Sequence, residues 1–399
     1  MADDQPWKIP PIVQELAAAG VLEPPSRYVI GEQDRPALAA ASMPEPIPIV
    51  DLSRLSSAAA DGHGHGADDE AAKLLSALQN WGLFLAVGHG VEPGFLAEVM
   101  EVTRGFFKLP PEEKRKYSNL VNGKEFRFEG YGDDMVLSED QILDWGDRLY
   151  LIVEPESQVA HGLWPAQPPG FGGVLREYAA MCRGIAGVVL ASLARLLGLH
   201  ERRFVGMMSE GLAMTHARFN YYPRCPQPDR VFGLKPHSDA SVITVVLIDD
   251  AVAGLQVQKP NDDSGVWYDV PIVPNALLVN VGDAIEIMSN GFFTSPMHRA
   301  VTNAERDRVS LAMFYTLDPE KEIEPLPELV DEKRPRRYGK TTTKQYLAAL
   351  YERFARGARA IDTVKISAAA DGCDQTRSDR EDDGQMIDLF FRERRRFFR

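Results

Sequence analysis

His237 and Asp239 stand two positions apart in Lys235-Pro236-His237-Ser238-Asp239, at the head of the apolar run Val242-Ile243-Thr244-Val245-Val246-Leu247-Ile248. Positions i and i+2 of an extended backbone face the same side. The two side chains are therefore expected to share one face of a buried strand from His237 to Ile248. An imidazole and a carboxylate so placed form two legs of a metal site. A third ligand from a distant strand would complete the set of two histidines and one carboxylate, which keeps coordination positions open and suits Fe(II). Only eight histidines are available. His63 and His65 lie in the low-complexity run Asp61-Gly62-His63-Gly64-His65-Gly66, which offers no rigid frame. His89, His161 and His200 sit in turn-like contexts, and His216 opens an apolar strand as a core residue. His298 stands apart, because ten positions later comes Arg308-Val309-Ser310. Arg308 and Ser310 again share a face, where a guanidinium fork and a hydroxyl can hold a carboxylate.

With Asn220-Tyr221-Tyr222-Pro223-Arg224-Cys225-Pro226-Gln227-Pro228 added, the chain resembles the plant-type Fe(II)- and 2-oxoglutarate-dependent dioxygenases, which include anthocyanidin synthase, flavonol synthase and the senescence-related type. A lone His-x-Asp arises often by chance. Four blocks in this order, with His298 59 positions after Asp239, form a specific signal. The resemblance covers residues 10 to 366 and is strongest from Thr215 to Tyr315. It implies a mainly β fold with flanking helices: a double-stranded β-helix, or jelly roll, with an N-terminal region of helices and strands packed on it.

The resemblance also implies the chemistry. Fe(II) would be held by His237, Asp239 and His298, with 2-oxoglutarate chelating at two open positions, O2 at the third and ascorbate as reductant. Arg308 and Ser310 would clamp the far carboxylate, with a hydrogen bond from Tyr222 and with Asn220 near the chelating end. Decarboxylation of 2-oxoglutarate to succinate would be coupled to hydroxylation, desaturation or demethylation of a small plant specialised metabolite or hormone. Phe314, on the same face as Arg308 and Ser310 by parity, Arg218, Tyr150 and the C-terminal helix are the candidates for the substrate pocket. Two other readings are an Fe(II) oxidase of the same fold that does not use 2-oxoglutarate, and a non-catalytic jelly-roll binding protein. Loss of a metal ligand or of Arg308 would favour the second, and neither is lost.

Composition agrees with a small-molecule enzyme. The net charge of −14 over 399 residues argues against nucleic-acid and anionic-membrane partners, which need clustered basic residues. Three widely separated cysteines, Cys182, Cys225 and Cys373, cannot frame a disulfide fold, so a reducing, cytoplasmic setting is expected. A monomer is expected as well. No signal-like N-terminus and no apolar run long enough for a membrane span is read.

The positioning elements follow from the hydrophobic period. A short helix is bracketed by Pro10-Pro11 and Gly20. Ile47 to Leu52 is strand-like, Ser53 to Asp69 a loop or the lead-in to a helix, and Glu70 to Asn80 a helix. Glu92 to Lys108 and Pro110 to Tyr117 are helical, with residues 122 to 134 a loop at the mouth of the site. Leu143 to Ile152 is an aromatic strand, and Leu175 to Leu199 a helix with a 3.6-residue apolar period that should back the sheet. From Met214 to Thr316 seven short strands are separated by turns, with Asn275 and Asn280-Val281-Gly282-Asp283 read as tight turns. Thr341 to Ala360 is an amphipathic helix. The parts expected are an N-terminal region over 10–165, the jelly-roll core over 166–320, a C-terminal helix over 321–366 and a disordered tail over 367–399.

Overall fold

The computed structural model describes residues 6–36, 41–61, 65–260, 262 and 264–366. The tail over 367–399, His63 and the side chain of His65 lie outside the described residues. The β-branched and aromatic runs make strands β1 (Ile49–Asp51), β2 (Leu83–Val87), β3 (Gly130–Gly132), β4 (Asp147–Glu154), β5 (Met214–Tyr222), β6 (Leu234–His237), β7 (Ile243–Ile248), β8 (Leu255–Gln258), β9 (Trp267–Asp269), β10 (Leu277–Val281), β11 (His298–Ala300) and β12 (Arg308–Thr316). They form an eight-stranded sheet in the order β1-β2-β10-β7-β12-β5-β4-β3 and a four-stranded sheet in the order β9-β8-β11-β6. All neighbours pair antiparallel except β1 with β2. This is the jelly-roll core that the family resemblance implies. Strands from before residue 165 extend the same large sheet as those of the core.

Parity assigns the faces of the large sheet. Leu149, Leu151, Ala217, Phe219, Val245, Leu311 and Met313 join one core cluster with Tyr178, Cys182, Ile185 and Val189. Those four belong to a helix that runs Phe171–Leu196, four residues earlier at its start than the period from Leu175 suggests. Each large aliphatic side chain buried there contributes about 1.5–3 kcal/mol relative to exposure. The alternate residues on β4, β5, β7, β10 and β12, among them Tyr150, Arg218, Asn220, Tyr222, Thr244, Asn280, Arg308 and Ser310, face the four-stranded sheet and line the cavities between the layers. By length and composition this helix could cross a membrane, where the sequence reading expects no such run. Its apolar surplus is that of a core helix, since one side lies on the large sheet and others meet helices Leu52–Asp61, His65–Asn80 and Pro93–Phe107.

Local chemistry explains where the remaining expectations shift. Ser53 to Asp69 is largely helical and not a loop, carried by the first two of those helices. Residues 122 to 134 are not a simple loop either, since Gly130–Gly132 pairs with β4. Asn280 and Val281 end β10 instead of forming a turn, and Asp283–Met288 is a short helix. Asn275 does turn the chain, at φ 60°. The C-terminal helix is shorter than read, Thr343–Ala355. It opens on a capping box in which Thr342 Oγ1 accepts from the Gln345 amide and Gln345 Oε1 accepts from the Thr342 amide. It closes before Gly357, at φ 68°.

Candidate functional site

His237 and His298 are direct cross-strand partners on β6 and β11, so 61 residues of separation collapse to ring centroids 4.2 Å apart. Asp239 arrives differently from the sequence expectation. His237 to Ile248 is not one strand, because the chain leaves β6 at His237 and re-enters sheet only at Ile243. The intervening residues cross from the small sheet to the large one and are held by the turn before Asp283–Met288. The amides of Asp283, Ala284 and Gly282 donate to the carbonyls of Asp239, Ser241 and Val242 at 2.7, 3.3 and 3.1 Å. A Cβ on Gly282 would sit 1.9 Å from the Ser241 carbonyl oxygen, so the close approach requires glycine. His237 and Asp239 thus meet through a bend, not through the pleat.

The donor set fits a divalent cation. His237 Nδ1 lies 2.8 Å from the Lys235 carbonyl oxygen, and His298 Nδ1 lies 3.1 Å from that of Pro296. A carbonyl only accepts, so each Nδ1 carries the proton and each Nε2 lone pair is left to coordinate. Asp239 Oδ2 accepts from Thr244 Oγ1 at 2.7 Å and from Asn280 Nδ2 at 2.8 Å, while Oδ1 stands 3.7 Å from both Nε2 atoms. One ligand atom from each residue lies within 4.8 Å of the others. Metal bonds of about 2.0–2.2 Å can span that gap. Burial, reinforced by His298, pushes His237 down to about 3. Burial opposes the Asp239 charge, but His298, His237, Asn280 and Thr244 outweigh it and hold the carboxyl below its ordinary value. Both shifts favour the deprotonated forms that metal binding needs.

The second half of the site is a row of cross-strand pairs. Arg308 faces Tyr222, Ser310 faces Asn220 and Ala312 faces Arg218 between β12 and β5. Arg308 is 3 % exposed, its guanidinium stacks 5.3 Å from the Tyr222 ring, and its Nε has no hydrogen-bond partner. Burial lowers its pKa, and Tyr222, through charge and a side-chain hydrogen bond, and Asp249 only partly offset that. A buried guanidinium with a nitrogen left unpaired is costly. It is therefore aimed at an anion, and the cavity of about 500 Å³ that it lines also holds His237, Asp239 and His298. Gly254, at φ 154°, lets Arg308 lie where it does, since a Cβ there would come within 2.8 Å of the Val301 carbonyl oxygen and 3.0 Å of Arg308 Cδ. Gly254→Ala is expected to displace the guanidinium and weaken binding of a dicarboxylic 2-oxo acid on the order of tenfold. Metal affinity should hold, and calorimetric titration of each checks the split.

The family model described as the 2OG-Fe(II) oxygenase superfamily matches residues 215–317, and that described as non-haem dioxygenase in morphine synthesis N-terminal matches residues 47–168. Protein SRG1 of Arabidopsis thaliana is 35 % identical over 358 residues, covering 89 % of this chain and 96 % of its own. The chain belongs to the 2-oxoglutarate- and Fe(II)-dependent oxygenases. An oxoglutarate-dependent flavonoid 7-O-demethylase 1 of Ocimum basilicum is 32 % identical over 357 residues, 89 % of this oxygenase and 91 % of its own length. A crystal structure of JOX2 in complex with 2OG, Fe and JA superposes with a TM-score of 0.78 at 32 % identity, over 90 % of this oxygenase and 99 % of that chain.

Beside the ligand set lies a second cavity of about 660 Å³, walled by Tyr150, Arg218, Phe314 and, from the C-terminal helix, Leu347, Leu350, Tyr351 and Phe354. The oxygenase therefore brings Tyr150, Arg218 and Phe314 to one wall, Phe314 on the face that its parity with Arg308 and Ser310 predicts. Phe354 sets its edge on the His237 ring, with centroids 5.6 Å apart, and covers the Lys235 ammonium at 4.6 Å. Lys235 is in turn fixed by Asp144, at 2.9 Å from both its amide and its Nζ. His89 and His216 stay out of the site. The first bonds the Asn275 carbonyl at a turn, and the second meets Thr316 Oγ1 in the interior.

Sequence reasoning missed Asn280, Thr244, Asp144 and above all Asp134. Asp134 accepts from Arg218 Nη1 and Nη2 at 2.9 and 2.8 Å and from Arg148 Nε at 3.0 Å. Burial works against its charge, but the two guanidiniums dominate and hold its carboxyl well below the usual range. Asp134→Asn leaves both cations uncompensated and is expected to lower stability by about 3–5 kcal/mol. A depressed folded pKa contributes stability above the ordinary value of 3.8 that is lost as pH falls through the folded value. Denaturant titrations should thus show the gap between wild type and variant widest at neutral pH and closing in acid.

Proposed function

We propose that the oxygenase oxidises a small plant specialised metabolite or hormone, with Fe(II) on His237, Asp239 and His298 and the far carboxylate of 2-oxoglutarate on Arg308. The observation that carries this is the buried Arg308, its Nε without a partner, opening on the same cavity as the three ligands. Relatives named for flavonoid demethylation and solved with 2OG, Fe and JA support the substrate class. Bound Fe(II) and 2-oxoglutarate supply oxidation of the substrate by O2, with release of succinate and CO2. The chain's own residues bind and orient. Arg308 and Ser310 take the far carboxylate with Tyr222 beside them. Asn280 and Thr244 fix the Asp239 rotamer, and Phe354 shields His237 from water.

The same proposal includes a monomer, and a cytoplasmic setting with neither a nucleic-acid nor a membrane partner; the acidic net charge and the buried free thiols Cys182 and Cys225 support the latter two. The test is succinate release from 2-oxoglutarate by purified protein with Fe(II), ascorbate and a panel of plant metabolites. Release that rises with one class of metabolite is expected. Substrate oxidation that proceeds without consuming 2-oxoglutarate would move the oxidase reading to the front.

A further inference from the structure

We propose that the prime substrate is an uncharged aromatic molecule, and that Asp134 sets this selectivity by occupying the Arg218 guanidinium against carboxylate ligands. The inference rests on the proposed function of the cavity beside the three ligands and names the class of molecule it takes. Apart from the ligands themselves, the charged side chains on that wall are Arg218 and Asp134.

Two arginines of adjacent strands make the contrast. Arg308 is buried with an orphaned nitrogen, the condition of a guanidinium awaiting an anion. Arg218 is engaged on every side of its fork, by both Asp134 oxygens and, through Nε at 2.7 Å, by Asn220 Oδ1. The pair is only 15 % and 19 % exposed, so solvent screens it little. A ligand carboxylate would have to displace Asp134 and then lie beside a like charge. Arg148, the second partner of Asp134, is directed away to the carbonyls of Phe128 and Gly130 at 2.7 and 3.0 Å.

What remains for a ligand is aromatic and neutral. Phe314, Phe354, Tyr150 and Tyr351 offer ring surfaces for stacking a planar molecule, and Leu347 and Leu350 complete an apolar wall. Burial keeps the phenols of Tyr150 and Tyr351 protonated, the latter pushed up to about 12, so they act as uncharged hydrogen-bonding groups.

The test titrates full-length protein, loaded with Mn(II) and 2-oxoglutarate, with matched ester and acid probes: methyl cinnamate against cinnamate, and methyl 2-naphthoate against 2-naphthoate. Binding is read by calorimetry at neutral pH. Wild type is expected to favour the ester by about tenfold or more, and Asp134→Asn, which frees Arg218, to erase or invert that preference. Where Asp134→Asn does not fold, the double variant Asp134→Asn with Arg148→Gln removes one charge of each sign and still leaves Arg218 free. Wild type that binds the acids as tightly as the esters, or that binds no ester, overturns the proposal. So does a folded variant with the wild-type ratio. The 2-oxoglutarate titration of the same sample is read first, and its failure sinks the underlying assignment and this one with it.

Discussion

Exchange of His298, His237 or Asp239 for alanine is expected to take 2-oxoglutarate turnover to background while thermal unfolding stays cooperative. Each residue contributes one ligand atom, and among the described residues no other His, Cys, Asp or Glu joins the cluster, so no spare ligand can substitute. The fold should survive, because the strands that carry the histidines are held by backbone ladders and by the Lys235–Asp144 pair, not by the imidazoles. Mn(II) binding, followed by electron spin resonance, separates loss of metal from loss of folding. Asn280→Ala should fall between these variants and wild type, at about 10–100-fold in metal affinity, because it frees Asp239 to turn without removing it. Full turnover in any of the three alanine variants with metal still bound would end the assignment.

Arg308→Lys should raise the apparent 2-oxoglutarate constant by about tenfold to a hundredfold, since a charge-assisted hydrogen bond contributes roughly 1.5–3 kcal/mol. Lysine keeps the charge but not the planar fork, and its shorter reach leaves the Tyr222 ring face. Ser310→Ala should act in the same direction and less, as it removes a neutral donor. Metal affinity should not move with either. Pyruvate, which has no distal carboxylate, should serve wild type poorly and be nearly indifferent to Arg308→Lys. If both variants bind 2-oxoglutarate like wild type, the arginine serves another ligand.

Strand pairing explains how much of this could be read from sequence. Two-residue spacing puts Arg308 with Ser310 on one face, the resemblance adds Asn220 and Tyr222, and antiparallel register sets the two pairs opposite one another. Local alternation carries that information. The crossing at Ser238 to Val242 was illegible because an apolar run looks the same whether it continues in one sheet or passes between two. What breaks it is a set of hydrogen bonds to residues 282–284, forty or more positions away. Asp134 was hidden for a related reason. A Gly-rich charged stretch reads as a loop, and nothing within it announces that two guanidiniums 14 and 84 residues later will claim its carboxylate. Asn280 sits beside Gly282 and resembles turn chemistry, while its amide is spent on Asp239.

The origin of the three ligands gives the metal a mechanical role. Both histidines end strands of the four-stranded sheet, while Asp239 is tied through Oδ2 to Thr244 of β7 and Asn280 of β10 in the eight-stranded one. A cation held by all three residues would tie the two sheets together. A cation bound only by the folded state adds stability in proportion to the logarithm of its free concentration over its dissociation constant. Lifetime against proteolysis would then track iron supply, and a cell short of iron would hold less of this protein as well as less of its activity.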